Sequence, residues 1–286
     1  MRRFMAAMVI LGFMGFALPD GPAHARLPVD GEVLPEFPEA SIDGVKLELR
    51  YPEAETMLNR MISEEAFWSD AKTSDYNGRL YDEIRLKPVD DGYVPMVTGE
   101  SDEDIPHEVV ADIVFEKMTM LPKYMDGAVA VVNLGNGVDG RTGTPYRDTY
   151  YLLDLSFFYV AYPQRMYRKT SGDQTFLYFE KVQPDFVDAA TWSSYQKIMK
   201  DTVEQSDLRS LFGSVLEAEQ IYGIFIVGPG STQTSRVTFV SKLIFGSDAG
   251  WLARLGSKMP PVLRAGLQSG FNACVAIAKY ERDKRK

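Results

Sequence analysis

The amino-acid sequence predicts an α+β fold in which a curved antiparallel sheet wraps around a long C-terminal helix. Amphipathic helical segments come first, strand-like sequence then fills residues 128 to 245, and a long helix rich in glycine and alanine follows. Helices and strands that are grouped along a chain, rather than alternating, are typical of α+β proteins with antiparallel sheets. A sheet that bends around a helix encloses an apolar hollow, and hollows of this kind bind hydrophobic molecules.

The N-terminal residues have the pattern of an export signal. Arg2 and Arg3 precede the apolar segment Met5–Leu18, and Ala23-His24-Ala25 is a small-x-small cleavage site. The apolar segment is too short to span a bilayer, so we expect cleavage after Ala25 rather than a membrane anchor. A buried N-terminal helix is the alternative interpretation. No later segment has the apolar length of a membrane span, which predicts a periplasmic or secreted protein.

The composition limits the classes of function. The 286 residues carry a formal net charge of −9 and a single cysteine, Cys274. An intramolecular disulfide is therefore impossible, and stability has to come from a hydrophobic core. The charge becomes one unit more negative when residues 1–25 are removed. Because this field repels nucleic acid, no nucleic-acid partner is expected.

Three segments are predicted along the chain: a signal peptide at 1–25, an N-terminal arm and helix at 26–77, and a main domain at 78–286. Prolines and glycines fill the arm, and Pro52 then opens a helix. Its apolar residues recur at helical spacing and need a partner surface; they are Ala54, Met57, Leu58, Met61 and Ile62. Residues 80–86 and 92–98 are predicted strands on either side of an Asp-Asp-Gly turn.

The next elements are a second helix and the strands of the main sheet. The helix His107–Leu121 ends at Pro122, and an Asp-Gly turn leads into the apolar strand Ala128–Leu134. We predict Tyr150–Tyr162 as one half-buried strand, because apolar residues alternate along it on one face. A hairpin around Ser-Gly-Asp at 171–173, a helical insertion at 192–203, and strands at 211–227 and 236–245 follow.

The final helical region begins at Asp248 and is predicted to be interrupted at Pro260-Pro261. A single stripe along the helix then carries Leu263, Gly266, Gly270, Ala273, Cys274 and Ile277. Glycine costs about 1 kcal/mol relative to alanine inside a helix, so two glycines on one face indicate a spatial requirement. Either the helix packs closely on the sheet there, or Gly266 and Gly270 form a notch for a ligand.

Little in the sequence indicates catalysis, a metal or a cofactor. Gly135, Gly137 and Gly140 match a dinucleotide-binding spacing, but Pro145 and its polar neighbours follow where a helix is required, so we predict a loop. Outside residues 1–25 there is one histidine, His107, and one cysteine. A Ser-His-acid triad and a zinc site are therefore not expected, and no cofactor is predicted.

Two parts of the chain resemble the START-like and polyketide-cyclase-like domains of the SRPBCC superfamily. The helix that passes through Leu121-Pro122-Lys123-Tyr124-Met125-Asp126-Gly127 into Ala128–Leu134 is similar to their opening segment. The strand Arg236–Phe245, the sequence Gly246-Ser247-Asp248-Ala249-Gly250-Trp251-Leu252 and the last helix resemble the closing part of lipid-transfer START domains. The resemblance covers residues 78 to 283.

This resemblance implies a helix-grip fold with an internal hydrophobic cavity, used mostly to bind or carry sterols, phospholipids, quinones or polyketides, and in some branches for catalysis. The insertion at 192–203 and the Pro52 helix depart from the pattern. The expected function is non-enzymatic binding or transfer of a hydrophobic ligand. A polyketide-cyclase-like enzyme acting through Tyr, Arg or Asp side chains is the first alternative, and a ligand-free envelope interaction module is the second.

The candidate ligand-binding residues come from the apolar faces of the predicted strands and from the helix stripe. They are Tyr151, Leu153, Leu155, Phe157, Tyr159, Arg165, Phe176, Tyr178, Val237, Phe239, Leu243, Gly266, Gly270 and Ile277. Each apolar member is also explained as ordinary core, and Arg165 either meets a head group or pairs with Glu180 or Asp154. The expected partner is a hydrophobic small molecule or lipid, with at most transient membrane contact; no protein partner is identified.

Overall fold

The computed structural model describes residues 41–42, 45–75, 83–89, 92–100, 105–154, 158–206, 208, 215–230, 234–245 and 260–284. These residues all belong to one compact unit, Glu39–Lys286. The predicted signal peptide and most of the predicted arm lie outside them, and so do Leu155 and Phe157. No helix among the described residues combines the length and apolar character needed to cross a membrane.

The described residues form eleven strands and five α-helices, which we number in chain order. The strands are β1 Ser41–Ile42, β2 Val45–Lys46, β3 Lys72–Asp75, β4 Glu83–Val89, β5 Gly92–Glu100, β6 Ala128–Val138, β7 Pro145–Asp154, β8 Tyr159–Ser171, β9 Gln174–Lys181, β10 Val215–Pro229 and β11 Ser235–Phe245. The helices are α1 Pro52–Ser63, α2 His107–Glu116, α3 Leu121–Tyr124, α4 Ala189–Gln205 and α5 Pro260–Lys284. Short 3-10 turns cover Glu65–Trp68, Met118–Met120 and Pro184–Phe186.

Nine of these strands form one large, curved, almost wholly antiparallel sheet, in the order β3-β4-β5-β11-β10-β9-β8-β7-β6. The start of β10 also pairs in parallel with the start of β8, with Val215 opposite Tyr159. This pairing fills the place beside β8 that β9 leaves when it ends at Lys181. Register shifts in β6 and in β10 mark bulges, which bend and twist the strands that contain them.

The sheet confirms the α+β prediction, with two changes in element boundaries. The run Tyr150–Tyr162 is not one strand, because β7 ends at Asp154 and β8 returns beside it with Tyr159 opposite Asp154. The predicted hairpin at 171–173 is present, and Gly172 adopts a φ of +58° at its tip, where glycine avoids the steric cost of a side chain. The predicted insertion is helix α4.

One helix prediction changes at its proline, and a proline pair stands at the start of another helix. Helix α2 ends at Glu116, and Pro122 stands at the start of the separate short helix α3 rather than ending the first helix. Pro260 and Pro261 begin α5, and residues 248–259, where the final helical region was predicted to start, lie outside the described residues. Both positions suit proline, because the first turn of a helix has backbone N–H groups without intrahelical acceptors.

The predicted loop at the glycine motif is wrong for its first half, since Gly135 and Gly137 lie within strand β6. A Cβ atom on Gly135 would collide with the hydroxyl of Tyr195 from α4, and one on Gly137 would lie 3.0 Å from the hydroxyl of Tyr146. Nothing lies within 4 Å of a Cβ built on Gly140. The two strand glycines therefore make room for tyrosine side chains.

Helices cover the sheet on both faces. On the face that we call inner, α2, α3 and α5 pack over the strands around Val131, Leu177 and Ile221. On the opposite, outer face, α1 packs on Tyr167, Phe176 and other residues of the central strands. Helix α4 covers the outer face of β6, β7 and the start of β8. The sheet therefore has a packed apolar layer on each side.

Candidate functional site

A cavity of about 320 Å³ lies between the inner face of the sheet and helices α2 and α5. Its helical wall includes Val110 and Val114 from α2, Met118 from the 3-10 turn that follows, and Leu267, Gly270 and Cys274 from α5. Six strands supply the sheet wall: β5, β7, β8, β9, β10 and β11. The described lining residue of β9 is Phe179. The cavity thus occupies the position predicted from the sequence, between a curved sheet and its last helix.

Six of the candidate residues lie on the wall of this cavity. They are Tyr151, Leu153, Val237, Phe239, Leu243 and Gly270. The first two come from β7 and the next three from β11, two strands that β8, β9 and β10 separate in the sheet. The structure brings these six residues together around one cavity, and their contact with a ligand stays a prediction.

Three aromatic candidates lie on the other side of the sheet. Phe176 and Tyr178 pack under α1, and Tyr159 packs in the cluster under α4, so their expected position in the cavity was wrong. Along β9 both faces are apolar and buried, so alternation does not tell which set faces the helix. Tyr159 changes face because β7 and β8 are two strands, and the alternation does not run through the turn between them.

Arg165 also lies on the outer face and does not reach the cavity. Its guanidinium binds the carboxylate of Asp148 on the neighbouring strand through two hydrogen bonds of 2.7 Å, and both side chains are almost wholly buried. Its partner is thus neither Glu180 nor Asp154. The Tyr195 hydroxyl donates to the same carboxylate at 2.9 Å, and the guanidinium lies 3.7 Å from the ring centre of Tyr146. The Asp148 carboxylate therefore joins α4 to the sheet.

Four candidate ligand-binding residues remain, and the structure describes the surroundings of one of them, Ile277. Leu155 and Phe157 lie outside the described residues, and nothing is described of the surroundings of Gly266 beyond its place in α5. Ile277 is fully buried in the hydrophobic cluster between α5 and the sheet, but it is not on the cavity wall. The helix stripe therefore contributes Gly270 and Cys274 to the wall, and Ala273 and Ile277 to the packing beside it.

Several wall residues were not predicted. The inner face of β8 supplies Tyr162, Gln164 and Met166, and β9 and β10 supply Phe179, Ile221 and Phe225. Recognising the turn between β7 and β8 would have placed Tyr162 opposite Tyr151 and, by alternation, Gln164 and Met166 on the same face. The helix predicted at His107–Leu121 supplies Val110, Val114 and Met118 to the wall, although none of them was a candidate ligand-binding residue.

The cavity wall is uncharged. Among the described residues that line it there is no Asp, Glu, Lys, Arg or His. Burial raises the pKa of Tyr151 well above its usual value, with Tyr162 and Cys274 adding to the shift, and burial alone raises the pKa of Tyr162. Burial also raises the pKa of Cys274 to about 12, so all three groups stay protonated and neutral at physiological pH.

Gly270 borders open space rather than packed atoms. A Cβ atom built on it has no neighbour within 4 Å, apart from its own helix backbone and its adjoining residues. Close approach of α5 to the sheet therefore does not require glycine at this position. The observation favours the notch interpretation of the stripe over the packing interpretation for Gly270.

The sequence matches no protein-family model and no curated protein. Among solved structures, human STARD10 is similar with a TM-score of 0.51 and 9% identity, over 80% of this chain and 81% of that chain. A STAR-related lipid transfer protein from Xanthomonas axonopodis has a TM-score of 0.47 and 13% identity, over 71% and 98%. The Zhui aromatase/cyclase of a Streptomyces species has a TM-score of 0.41 and 9% identity, over 65% and 94%. The chain has the START-like helix-grip fold.

Proposed function

We propose that the protein binds a hydrophobic small molecule in the cavity under α5 and carries it without changing it chemically. The observation that supports this function is a cavity wall made mostly of apolar side chains, with no charged residue among its described members. Removing apolar ligand surface from water contributes roughly 25 cal/mol per Å², so such a wall favours binding without any ionic contact. The volume of about 320 Å³ lies at the lower end of the range of small-molecule pockets.

The same wall disfavours the enzymatic alternative. General acid–base catalysis needs a group whose pKa lies near the working pH. The ionisable groups on the described wall are Tyr93, Tyr151, Tyr162 and Cys274. For the last three, burial raises the pKa further from neutrality. They suit hydrogen bonding to a neutral ligand better than proton transfer.

Export is the second part of the proposal. The pattern at residues 1–25 supports transfer out of the cytoplasm, and a soluble carrier has an evident use where a hydrophobic molecule has to cross water between membranes. Expression in a Gram-negative host, followed by fractionation and intact-mass measurement, tests this. We expect a periplasmic or secreted species that begins near Arg26. A full-length protein confined to the cytoplasm would contradict export and leave the binding proposal standing.

Native mass spectrometry after gentle purification tests the binding proposal. We expect the protein to retain a hydrophobic molecule that is released on denaturation, and the emptied protein to take up the neutral dye Nile red with one saturable site. Incubation of the released molecule with fresh protein should return it unchanged. An empty protein that takes up no dye would refute the carrier and favour an interaction module. A modified molecule would favour an enzyme.

A further inference from the structure

We propose that the cavity selects an uncharged ligand with a single hydroxyl or carbonyl group, and that Tyr151 and Tyr162 hold this polar group. This inference rests on the proposed function and adds to it the chemical class of the ligand and the residues that orient it. The wall contains few polar side chains, and three of them, Tyr151, Tyr162 and Gln164, lie together on the adjacent strands β7 and β8.

The two tyrosines form one unit across the strand pair. Tyr151 lies directly opposite Tyr162 in the antiparallel register, and their rings stack with centroids 5.3 Å apart and planes 22° apart. Both side chains are nearly buried, at 5% and 7% exposure, and neither hydroxyl makes a hydrogen bond to another described residue. Both tyrosines line the cavity, so a ligand oxygen placed beside them can accept a hydrogen bond from a tyrosine hydroxyl.

The other polar side chains of the described wall lie away from this stacked pair. The Ser235 hydroxyl already donates to the carbonyl of Ile105, while Tyr93 and Ser241 lie on β5 and β11, away from the tyrosine pair in strand order. Beside Ser241 the β11 wall is apolar, with Val237, Phe239 and Leu243. The stacked tyrosines and Gln164 thus gather polar groups at β7 and β8 in a wall that is otherwise mostly apolar, which matches a molecule with one polar head and a hydrocarbon body.

Charged head groups do not fit this arrangement. A carboxylate or phosphate placed beside these polar groups would lose its hydration, a penalty of several kcal/mol, without a cationic partner on the described wall. Three arginines lie on β7 and β8, and none of them is on the cavity wall. Arg165 is bound to Asp148 on the outer face, Arg168 pairs with Asp112 of α2, and Arg147 lies over the ring of Phe115. A neutral alcohol or ketone avoids the penalty and still accepts a hydrogen bond from a tyrosine hydroxyl.

Competition against Nile red with three probes of equal chain length tests the selection. Dodecanol carries a hydroxyl, dodecanoate a charge, and chlorododecane neither. At pH 8 each is used below its aqueous solubility, and dodecanoate also below its critical micelle concentration. We expect dodecanol to bind at least about tenfold more tightly than dodecanoate, a difference of 1.4 kcal/mol. Equal binding of dodecanol and dodecanoate would overturn the inference and leave the carrier proposal intact, whereas failure of all three probes and of the dye would refute both.

Removing single hydroxyls tests the roles of the two tyrosines. We expect Tyr151→Phe and Tyr162→Phe each to weaken dodecanol binding about three- to tenfold, as one hydrogen bond would, and to leave chlorododecane binding unchanged. Tyr150→Phe is the matched control, because Tyr150 is buried on the outer face of the same strand. Unchanged dodecanol binding in both folded variants would overturn the assignment. If a variant fails to fold, the comparison of the three probes with the natural chain still decides the selection.

Discussion

At the scale of single residues, Gly270 is where the cavity meets the backbone of α5. Since no atom lies within 4 Å of a Cβ placed there, we expect Gly270→Leu to project its side chain into the cavity and to weaken Nile red binding at least about tenfold. The fold should be kept or slightly stabilised, by up to about 1 kcal/mol, because leucine is a better helix former than glycine. Dye titration and urea unfolding measure the two effects.

Asn272→Leu provides the control for this substitution, because Asn272 is exposed on the same helix. It adds the same side chain outside the cavity, so dye binding should not change. If Gly270→Leu binds the dye normally and unfolds more easily, the glycine serves packing and the notch interpretation is wrong.

Glu180 is a residue whose protonation should affect stability. It is 2% exposed and accepts hydrogen bonds from the backbone N–H groups of Arg50 and Tyr51 and from the Tyr167 hydroxyl, at 3.0 to 3.1 Å. Burial nevertheless raises the pKa of Glu180 above its usual 4.5, so the folded state holds the proton more firmly than the unfolded state. The contribution of Glu180 protonation to the free energy of unfolding is therefore fully present below pH 4.5. It is lost as the pH rises through the pKa that Glu180 has in the folded state.

The variant Glu180→Gln isolates this contribution, since glutamine keeps the shape and an acceptor oxygen but does not titrate. We expect the unfolding free energy of the natural chain, minus that of the variant, to fall as pH rises from 4.5 towards 7. Urea unfolding at several pH values measures it. A difference that rises with pH would mean that the three hydrogen bonds outweigh the burial and lower the pKa.

At the scale of elements, the sequence predicts the type and order of the strands better than the face that each residue occupies. The hairpins at Gly172 and at 89–92, the insertion α4 and the long last helix all follow from local patterns. The sequence does not show which face of the sheet a side chain occupies where both faces of its strand are buried, as in Phe176-Leu177-Tyr178-Phe179 of β9. Helices on both sides of the sheet remove the apolar–polar alternation that would have distinguished the two faces.

The partner of Arg165 was unpredictable for a related reason. Asp148 lies 17 residues away, and the two residues face each other only because the chain reverses between β7 and β8. Once a run of apolar residues was interpreted as a single strand, no spacing rule could join them. A correct register would have identified both this ion pair and the tyrosine pair of the cavity, because all four residues belong to the same strand pair.

The attachment of α4 to the sheet depends on a strand glycine. Adding a methyl group at Gly135 would push away the hydroxyl of Tyr195, which hydrogen-bonds to the buried carboxylate of Asp148. We expect Gly135→Ala to destabilise the fold by about 1.5–3 kcal/mol, the range for a lost hydrogen bond to a charged group. Gly140→Ala is the control, since its Cβ would have open space around it. Urea unfolding compares the two variants.

A double-mutant cycle tests whether Gly135→Ala loses stability because it breaks the hydrogen bond of Tyr195. In a Tyr195→Phe background the hydrogen bond is already absent, so Gly135→Ala should cost markedly less there than in the natural chain. Equal costs in both backgrounds would mean that the alanine disturbs strand β6 itself, and that the tyrosine is not the reason for the glycine.

At the scale of the whole molecule, the two faces of the sheet have different packing. The outer face is filled by α1 and α4, with Leu58 and Met61 of α1 fully buried against the central strands. The inner face keeps an open volume of about 320 Å³ that neither α2 nor α5 fills. This division lets the outer layer stabilise the sheet while the inner layer is left free for a ligand, since each cavity in a core lowers stability.

Two identical substitutions on opposite faces test this division. Leu58→Ala on the outer face should lower the unfolding free energy by about 2–5 kcal/mol, as truncation of a fully buried leucine does, and should leave Nile red binding unchanged in the folded fraction. Leu243→Ala on the cavity wall should cost clearly less, because the lost atoms border space that is already empty, and should change dye affinity. Urea unfolding and dye titration of both variants measure the contrast. If Leu243→Ala cost as much as Leu58→Ala and did not affect the dye, the inner face would be ordinary core, and the cavity would have no role in binding.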